Sequence, residues 1–333
     1  MGMNEHVSRP LDRLSLALDA DMAAVDALIH DRMTSPHAPR IAEVTAHLVD
    51  AGGKRLRPML VLAAARLCGY QGEAHRQLAA AVEFVHTATL LHDDVVDESS
   101  QRRGRPTANL LWDNKSSVLV GDFLFARSFQ LMADTGSMEV MRILANASAT
   151  MSEGEVLQLT AAQDIATTED TYLQIIRGKT AALFSAATES GAVLAGADEA
   201  LRRALFDYGD ALGIAFQIVD DLLDYGAGGA GIGKNIGDDF RERKLTLPVI
   251  KAIAAGDADE RAFWQRTIGR GRQDEGDLET ALAILDRRGA LRAARADALG
   301  WAARAQAALA SAPGHDLRPI LSDLAEFVVS RLS

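Results

Sequence analysis

The sequence predicts an all-α protein, organised as one helical domain over residues 1–333. Three observations carry this. Aromatic residues make up only 5% of a chain rich in Ala and Leu, and runs of β-branched residues are short. No proline stands between Pro106 and Pro248, which leaves 141 residues free of the strongest helix breaker. Within that window apolar residues recur at helical spacing, as in Leu119, Phe123, Phe125, Phe129 and Met132. Almost the whole chain therefore reads as helices of about 12 to 25 residues joined by short Gly, Asp or Pro turns.

Taken in order, Pro58 follows the pair Gly52-Gly53 and marks a helix start. The apolar run Val61 to Cys68 makes that helix a buried one, and its lone cysteine a small hydrophobe. Thr167-Thr168-Glu169-Asp170 marks another start. Two segments echo each other: residues 87–97 and 214–224 align with an Ala and three Asp in register, as two helices with related jobs facing one cavity would. Residues 255–280 are the most polar stretch and read as a mobile connection or short helices. No Ser/Pro-rich linker or charge block divides the chain.

The charge balance is 35 Lys+Arg against 46 Asp+Glu, a net −11. That excludes a nucleic-acid binder, which needs a basic surface for phosphate contacts. One cysteine excludes a disulfide framework and fits a reducing compartment. No apolar stretch approaches the roughly 18 residues of a membrane span, and the opening residues lack the basic-then-apolar pattern of a secretory signal. Met1-Gly2 fails as a myristoylation signal because His6 stands where Ser or Thr is required. A soluble, cytoplasmic chain is expected. The acids are uneven in kind, 30 Asp to 16 Glu, the reverse of what a helical surface favours.

The Asp excess has a purpose at Asp93-Asp94-Val95-Val96-Asp97 and Asp220-Asp221-Leu222-Leu223-Asp224. On a helix, positions i and i+4 share a face, so each segment makes a carboxylate pair. Like charges at that spacing repel, and more so inside apolar helices, unless cations neutralise them. Paired hard oxygen ligands of this kind suit Mg²⁺ bridged to substrate phosphates. One such segment in an Asp-rich chain could be a solvated acidic face; two exceed coincidence.

The basic residues complete the pattern. Gly52-Gly53-Lys54-Arg55-Leu56-Arg57-Pro58 sets three cations beside two glycines before a helix start, which makes an anion site. Arg102-Arg103 follows the first Asp segment, and paired arginines fork onto diphosphate oxygens. Lys179, Lys234 and Lys244 surround the second segment in sequence. His86 lies seven residues before Asp93, two helical turns back on roughly the same face, and its neighbours point it to a diphosphate. His92 turns about 100° away from Asp93 and takes no role. Gly226-Ala227-Gly228-Gly229-Ala230-Gly231 matches a dinucleotide-binding pattern but follows a helix rather than a strand, so it reads as a flexible loop delivering Lys234. Together these imply Mg²⁺ and a polyanion.

From Gly52 to Pro248 these motifs, with Gly178-Lys179-Thr180, Gly233-Lys234-Asn235 and Lys244-Leu245-Thr246-Leu247-Pro248, resemble those of the all-trans polyprenyl diphosphate synthases. The resemblance implies an isoprenoid synthase fold, a single large helical bundle around a deep central cavity, working as a homodimer. It implies that Asp93, Asp97 and Asp220, aided by Asp94, Asp221 and Asp224, hold Mg²⁺, three ions per site with substrate bound. Arg102, Lys179, Lys234 and Lys244 would take the allylic diphosphate, and Lys54, Arg57, His86 and Arg103 the isopentenyl diphosphate. The Thr180 hydroxyl and the Gln217 carbonyl would face the reacting carbons. The resemblance also marks Ala88 and Thr89 as chain-length positions. Their small side chains leave the cavity floor open, with Phe129 or Met132 deeper, and predict a long product of about eight to ten isoprene units, destined for quinone side chains. No integral membrane segment is expected, only transient contact with a membrane surface. A terpene cyclase would carry a different second motif, a regulatory subunit would carry degraded ones, and a Ca²⁺-binding scaffold would leave the basic clusters without a purpose.

Overall fold

The computed structural model describes residues 9–50, 52–102, 104–226 and 236–332. They are overwhelmingly helical, as the proline map requires. The chain divides into two compact units, one formed by the described residues up to Ser148 with Ala186–Phe206 and Ala312–Leu317, the other by the remainder.

In the first unit, α1 (Pro10–Ala17), α2 (Asp19–Arg32) and α3 (Pro39–Asp50) precede α4 (Leu56–Leu67). Helix α4 begins two residues before Pro58, and its N-cap Arg55 sits in the left-handed region at φ 47°. Apolar on every side, α4 is buried almost throughout. Cys68 caps its C-terminus and is only partly buried, less deep than the sequence suggested.

The long α5 (Ala74–Val96) is the spine of this unit and packs on α2, α4 and α7 (Asn114–Asp134). Between α5 and α7 stand the chain's two described strands, β1 (Gln101–Arg102) and β2 (Arg105–Pro106), a minimal antiparallel hairpin, and the single turn α6 (Ala108–Leu111). His92 Nε2 lies 3.2 Å from the Val118 carbonyl, and a Cβ on Gly121 would meet its ring at 2.3 Å. Gly121 therefore lets α5 and α7 approach through His92, a packing role in place of a chemical one. Of the apolar residues that mark α7, Met132 is buried, whereas Leu119 is 67% exposed and Phe129 40% exposed.

Helix α8 (Met138–Ala161) leads to the second unit, where α9 (Glu169–Ile176) starts at the Thr168 cap, whose hydroxyl accepts from the Thr171 N–H at 3.2 Å. Helix α10 (Ala182–Leu194) belongs to the first unit from Ala186 onward, α11 (Glu199–Asp224) begins there and passes into the second at Asp207, and α12 (Asp238–Arg241) and α13 (Leu247–Ala255) follow in the second. The polar stretch after residue 255 forms helices rather than a bare connection. Helix α14 (Ala258–Trp264) opens with an Asp257–Glu260 capping box, and α15 (Asp277–Arg287), α16 (Ala290–Ala308) and α17 (Leu317–Ser330) follow. Trp264, Phe240, Val249, Ile268 and Leu285 form a core within this unit. Helix α16 buries Ala290, Ala294, Ala298 and Ala302, one per turn, so that its backbone lies close to α13. No described helix is long and apolar enough to cross a membrane.

Candidate active site

In the first unit the Asp motif occupies the last turn of α5. Asp97 is the helix C-cap, its N–H bonded to the Asp93 carbonyl at 2.8 Å. Asp97 is exposed and Asp93 half-buried, whereas Asp94 is fully buried. The helix geometry explains the split: Asp93 and Asp97 share the open face, and Asp94 is turned about 100° into the unit. Arg102 closes on Asp94 Oδ1 through Nε at 2.9 Å and Nη2 at 2.7 Å. The guanidinium read as a diphosphate ligand thus also anchors the hairpin to the Asp motif. The Thr107 hydroxyl donates to the Ser99 carbonyl at 2.6 Å, and His47 Nε2 lies 2.8 Å from the Pro106 carbonyl, so both ends of the hairpin are tied down. Arg103 lies outside the described residues.

The Gly-Gly-Lys-Arg loop reaches the same face of α5. Arg57 Nη1 stands 3.2 Å from His86 Nε2, which brings together two of the four residues read as isopentenyl diphosphate ligands. Lys54 is exposed. Arg55 instead pairs with the buried Glu83, and its Nε lies 3.5 Å from Asp26. A cleft lined by His47, Gly52, Gly53, Arg55, Glu83, His86, Asp94 and Arg102 runs along this face. Sequence reasoning missed Glu83. A Glu three residues before His86 in an otherwise apolar helix signals a buried charge that must find a cation. Ala88 is buried and Thr89 half-buried on α5, one turn before Asp93, and the Thr89 hydroxyl donates to the His86 carbonyl at 2.8 Å.

In the second unit, Lys179 and Thr180 lie in a π-helical turn, Arg177–Ala181, between α9 and α10, where the Ala182 N–H donates to the carbonyl of Arg177 five residues back. Two glycines wedge this turn in place. A Cβ on Gly178 would meet Gly154 Cα at 2.9 Å and the Thr150 carbonyl at 3.0 Å, and one on Gly213 would meet Ala181 Cα at 2.6 Å. Backbone therefore lies against backbone on both sides of the turn. Lys179 Nζ pairs with Glu155 Oε2 at 2.8 Å, a partner that the sequence reading did not name.

One and two turns beyond Gly213 on α11 stand Gln217 and Asp221. The Thr180 hydroxyl donates to Gln217 Oε1 at 2.8 Å, and Gln217 Nε2 donates to Asp221 Oδ1 at 2.9 Å. The Tyr172 hydroxyl donates to Asp221 Oδ2 at 2.6 Å. Asp221 is pushed up to about 7, by burial first, while its hydrogen bonds from Tyr172 and Gln217 pull the other way. Burial and the Asp221 charge hold the Tyr172 phenol well above its ordinary value, so it stays a donor. Asp220 is half-buried and Asp224 buried.

Asp224 receives the turn that follows it: its Oδ2 accepts from the Asp239 N–H at 3.0 Å and its carbonyl from the Gly237 N–H at 2.8 Å. Burial and the charges of Asp221 and Asp224 raise Asp239 well above the usual carboxylate range. Lys244 Nζ stands 3.9 Å from Asp239 Oδ1 and 2.5 Å from Glu242 Oε2. Asp239 is a further member of the site that sequence reasoning missed, although it stands five residues before Lys244. Lys234, the Gly233-Lys234-Asn235 motif and most of the glycine run from Gly226 lie outside the described residues.

Among the described residues no three His, Cys, Asp or Glu side chains converge into a closed metal cage. The donor set fits Mg²⁺ nonetheless, since that ion takes one or two carboxylates and completes its shell with substrate phosphates and water. The crowded, raised carboxylates around Asp221 also call for a cation.

Comparison with known proteins agrees. The polyprenyl synthetase family model matches residues 38–285. The chain is 43% identical over 323 residues to octaprenyl diphosphate synthase of Escherichia coli K12, covering 96% of this chain and 99% of that one. It is 71% identical to a decaprenyl diphosphate synthase from Rhodobacter capsulatus whose crystal structure superposes with a TM-score of 0.95, covering 97% of this chain and 99% of that one. A polyprenyl synthase from Caulobacter crescentus, solved with calcium and isoprenyl diphosphate, is 53% identical with a TM-score of 0.92, covering 97% and 98%. The chain belongs to the polyprenyl synthetase family and is a trans-prenyltransferase of the all-α isoprenoid synthase fold.

Proposed function

We propose that the protein condenses isopentenyl diphosphate units head-to-tail onto an allylic diphosphate, making an all-trans polyprenyl diphosphate of about eight to ten isoprene units. One observation carries the reading: a helix that ends in Asp93 and Asp97 also borders a cleft where Arg57 and His86 come together. Asp93, Asp97 and Asp220 hold Mg²⁺, three ions when substrate is bound, with Asp94, Asp221 and Asp224 in support. The ions supply neutralising charge to the diphosphate that leaves.

Arg102, Lys179, Lys234 and Lys244 add fixed positive charge to that leaving group, in a setting where preorganised charge counts most. Lys54, Arg57, His86 and Arg103 hold isopentenyl diphosphate. Thr180 donates its proton to Gln217, so the hydroxyl turns lone pairs outward, and the Gln217 carbonyl adds a second partial negative charge. Both favour the allylic cation formed as the C–O bond breaks. The isopentenyl double bond adds to that cation, and a proton passes to the departed diphosphate as the new double bond forms. Water must be excluded, or it captures the cation.

The small side chains of Ala88 and Thr89 support the long product, and the octaprenyl and decaprenyl relatives agree in length. Quinone side chains are the proposed destination, the cytoplasm the proposed compartment, with transient contact at a membrane surface. The whole chain acts as one catalytic domain within a homodimer. Exposed Leu110, Leu111, Val118, Leu119 and Phe129 on α6 and α7 are apolar surface suited to a second copy. The test of the chemistry is Asp93→Ala, which lowers the condensation rate by about three orders of magnitude while the melting temperature holds. Near-normal turnover would contradict the metal assignment.

A further inference from the structure

Asp221 carries the Asp-Asp-x-x-Asp signature, yet both its oxygens are engaged by protein donors. Oδ2 accepts from Tyr172 at 2.6 Å and Oδ1 from Gln217 Nε2 at 2.9 Å, and the carboxylate is 5% exposed. Tyr172 is 4% exposed and its hydroxyl has this acceptor in hand. A primary amide can point either end at a neighbour, and what fixes it is the partner. Here both Asp221 oxygens accept, one from Tyr172 and one from Gln217 Nε2, so the NH₂ end of Gln217 is turned toward Asp221 and Oε1 is left for Thr180. The polarity of the whole chain, from Tyr172 through Asp221 and Gln217 to Thr180, follows from that one acceptor.

We propose that Tyr172 and Asp221 are positioning residues: they fix the amide of Gln217 so that its carbonyl oxygen and the lone pairs of Thr180 face the reacting carbons, and Asp221 does not ligate metal. The inference rests on the proposed roles of Thr180 and Gln217. It assigns Tyr172, on α9 and remote in sequence from every Asp motif, to the reaction. It also separates Asp221 from Asp220, its neighbour in the signature. The π-helical turn makes the arrangement sensitive, because Gly178 and Ala181, on either side of Thr180, lie against the backbone of Gly154 and Gly213 and leave the turn little freedom to follow a misplaced Gln217.

The test compares full-length Tyr172→Phe, Asp221→Asn and Gln217→Leu, and the double variant Tyr172→Phe/Gln217→Leu. Tyr172→Phe keeps the ring and removes one donor. Asp221→Asn leaves one acceptor where two stood, so that Tyr172 and Gln217 compete for it and the Gln217 amide is no longer held in a single orientation. For Tyr172→Phe and Asp221→Asn we expect kcat to fall roughly 10- to 100-fold with KM for both diphosphates within about twofold. The double variant should be no worse than Gln217→Leu alone. A second readout is the rise in melting temperature on adding Mg²⁺ with inorganic pyrophosphate, which should equal that of the unaltered protein in both single variants.

Unchanged kcat in Tyr172→Phe alongside an impaired Gln217→Leu overturns the positioning role and leaves the proposed function standing. Additive losses in the double variant overturn it as well. Loss of the Mg²⁺-pyrophosphate stabilisation in Asp221→Asn makes Asp221 a metal ligand and overturns that part of the inference. Normal kcat in Gln217→Leu removes instead the functional reading of Gln217 on which the inference rests.

Discussion

The second Asp of each motif is buried and already bonded, Asp94 to Arg102 and Asp221 to Tyr172 and Gln217. The weak echo between residues 87–97 and 214–224 therefore extends to how the side chains are used, because helix geometry turns position i+1 inward in both. Cys68 gives a prediction at this scale. Burial, reinforced by the charge of Asp198, pushes its thiol up to about 11. At pH 8 the thiolate fraction is then on the order of a hundred-fold below that of an ordinary cysteine. Labelling by a thiol reagent at pH 8 should be about that much slower in the native protein than in denaturant, and equal rates would contradict the burial. The carboxylate pairs were legible in the sequence because their spacing coincides with the helical repeat. Glu83, Glu155 and Asp239 were not, because their partners Arg55, Lys179 and Asp224 lie far along the chain, and only tertiary structure brings them into contact.

Among the elements, the π-helical turn at Arg177–Ala181 owes its place to close backbone approach at Gly154, Gly178 and Gly213. A methyl on Gly178 meets only backbone atoms, which cannot swing aside as a side chain can. Gly178→Ala should cost about 1 to 3 kcal/mol in denaturant unfolding, the usual range for overpacking, and lower kcat by displacing Lys179 and Thr180. An unchanged denaturation midpoint would contradict the packing. The helices themselves were readable from proline placement and apolar spacing, and so was the cap at Thr168. The hairpin at Gln101–Pro106 was not, since two-residue strands leave no period to read. Nor was the exposure of Leu119 and Phe129, because helical spacing marks an apolar stripe without saying what covers it.

At the scale of the whole molecule, a chain of net charge −11 is proposed to bind two polyanionic diphosphates. It reconciles the two by placing Lys54, Arg57, Arg102, Lys179 and Lys244 beside or between its Asp motifs in sequence, with divalent cations supplying the remaining charge. Composition argued against a nucleic-acid partner, and the motifs carried the reaction class. Product length rests on the small side chains of Ala88 and Thr89 together with the octaprenyl and decaprenyl relatives. The most direct test incubates the protein with farnesyl diphosphate, labelled isopentenyl diphosphate and Mg²⁺, with EDTA in a parallel sample, and sizes the dephosphorylated products. A discrete product of about eight to ten isoprene units, absent with EDTA, is the expected result. A product of fifteen or twenty carbons, or one formed equally well with EDTA, would contradict it.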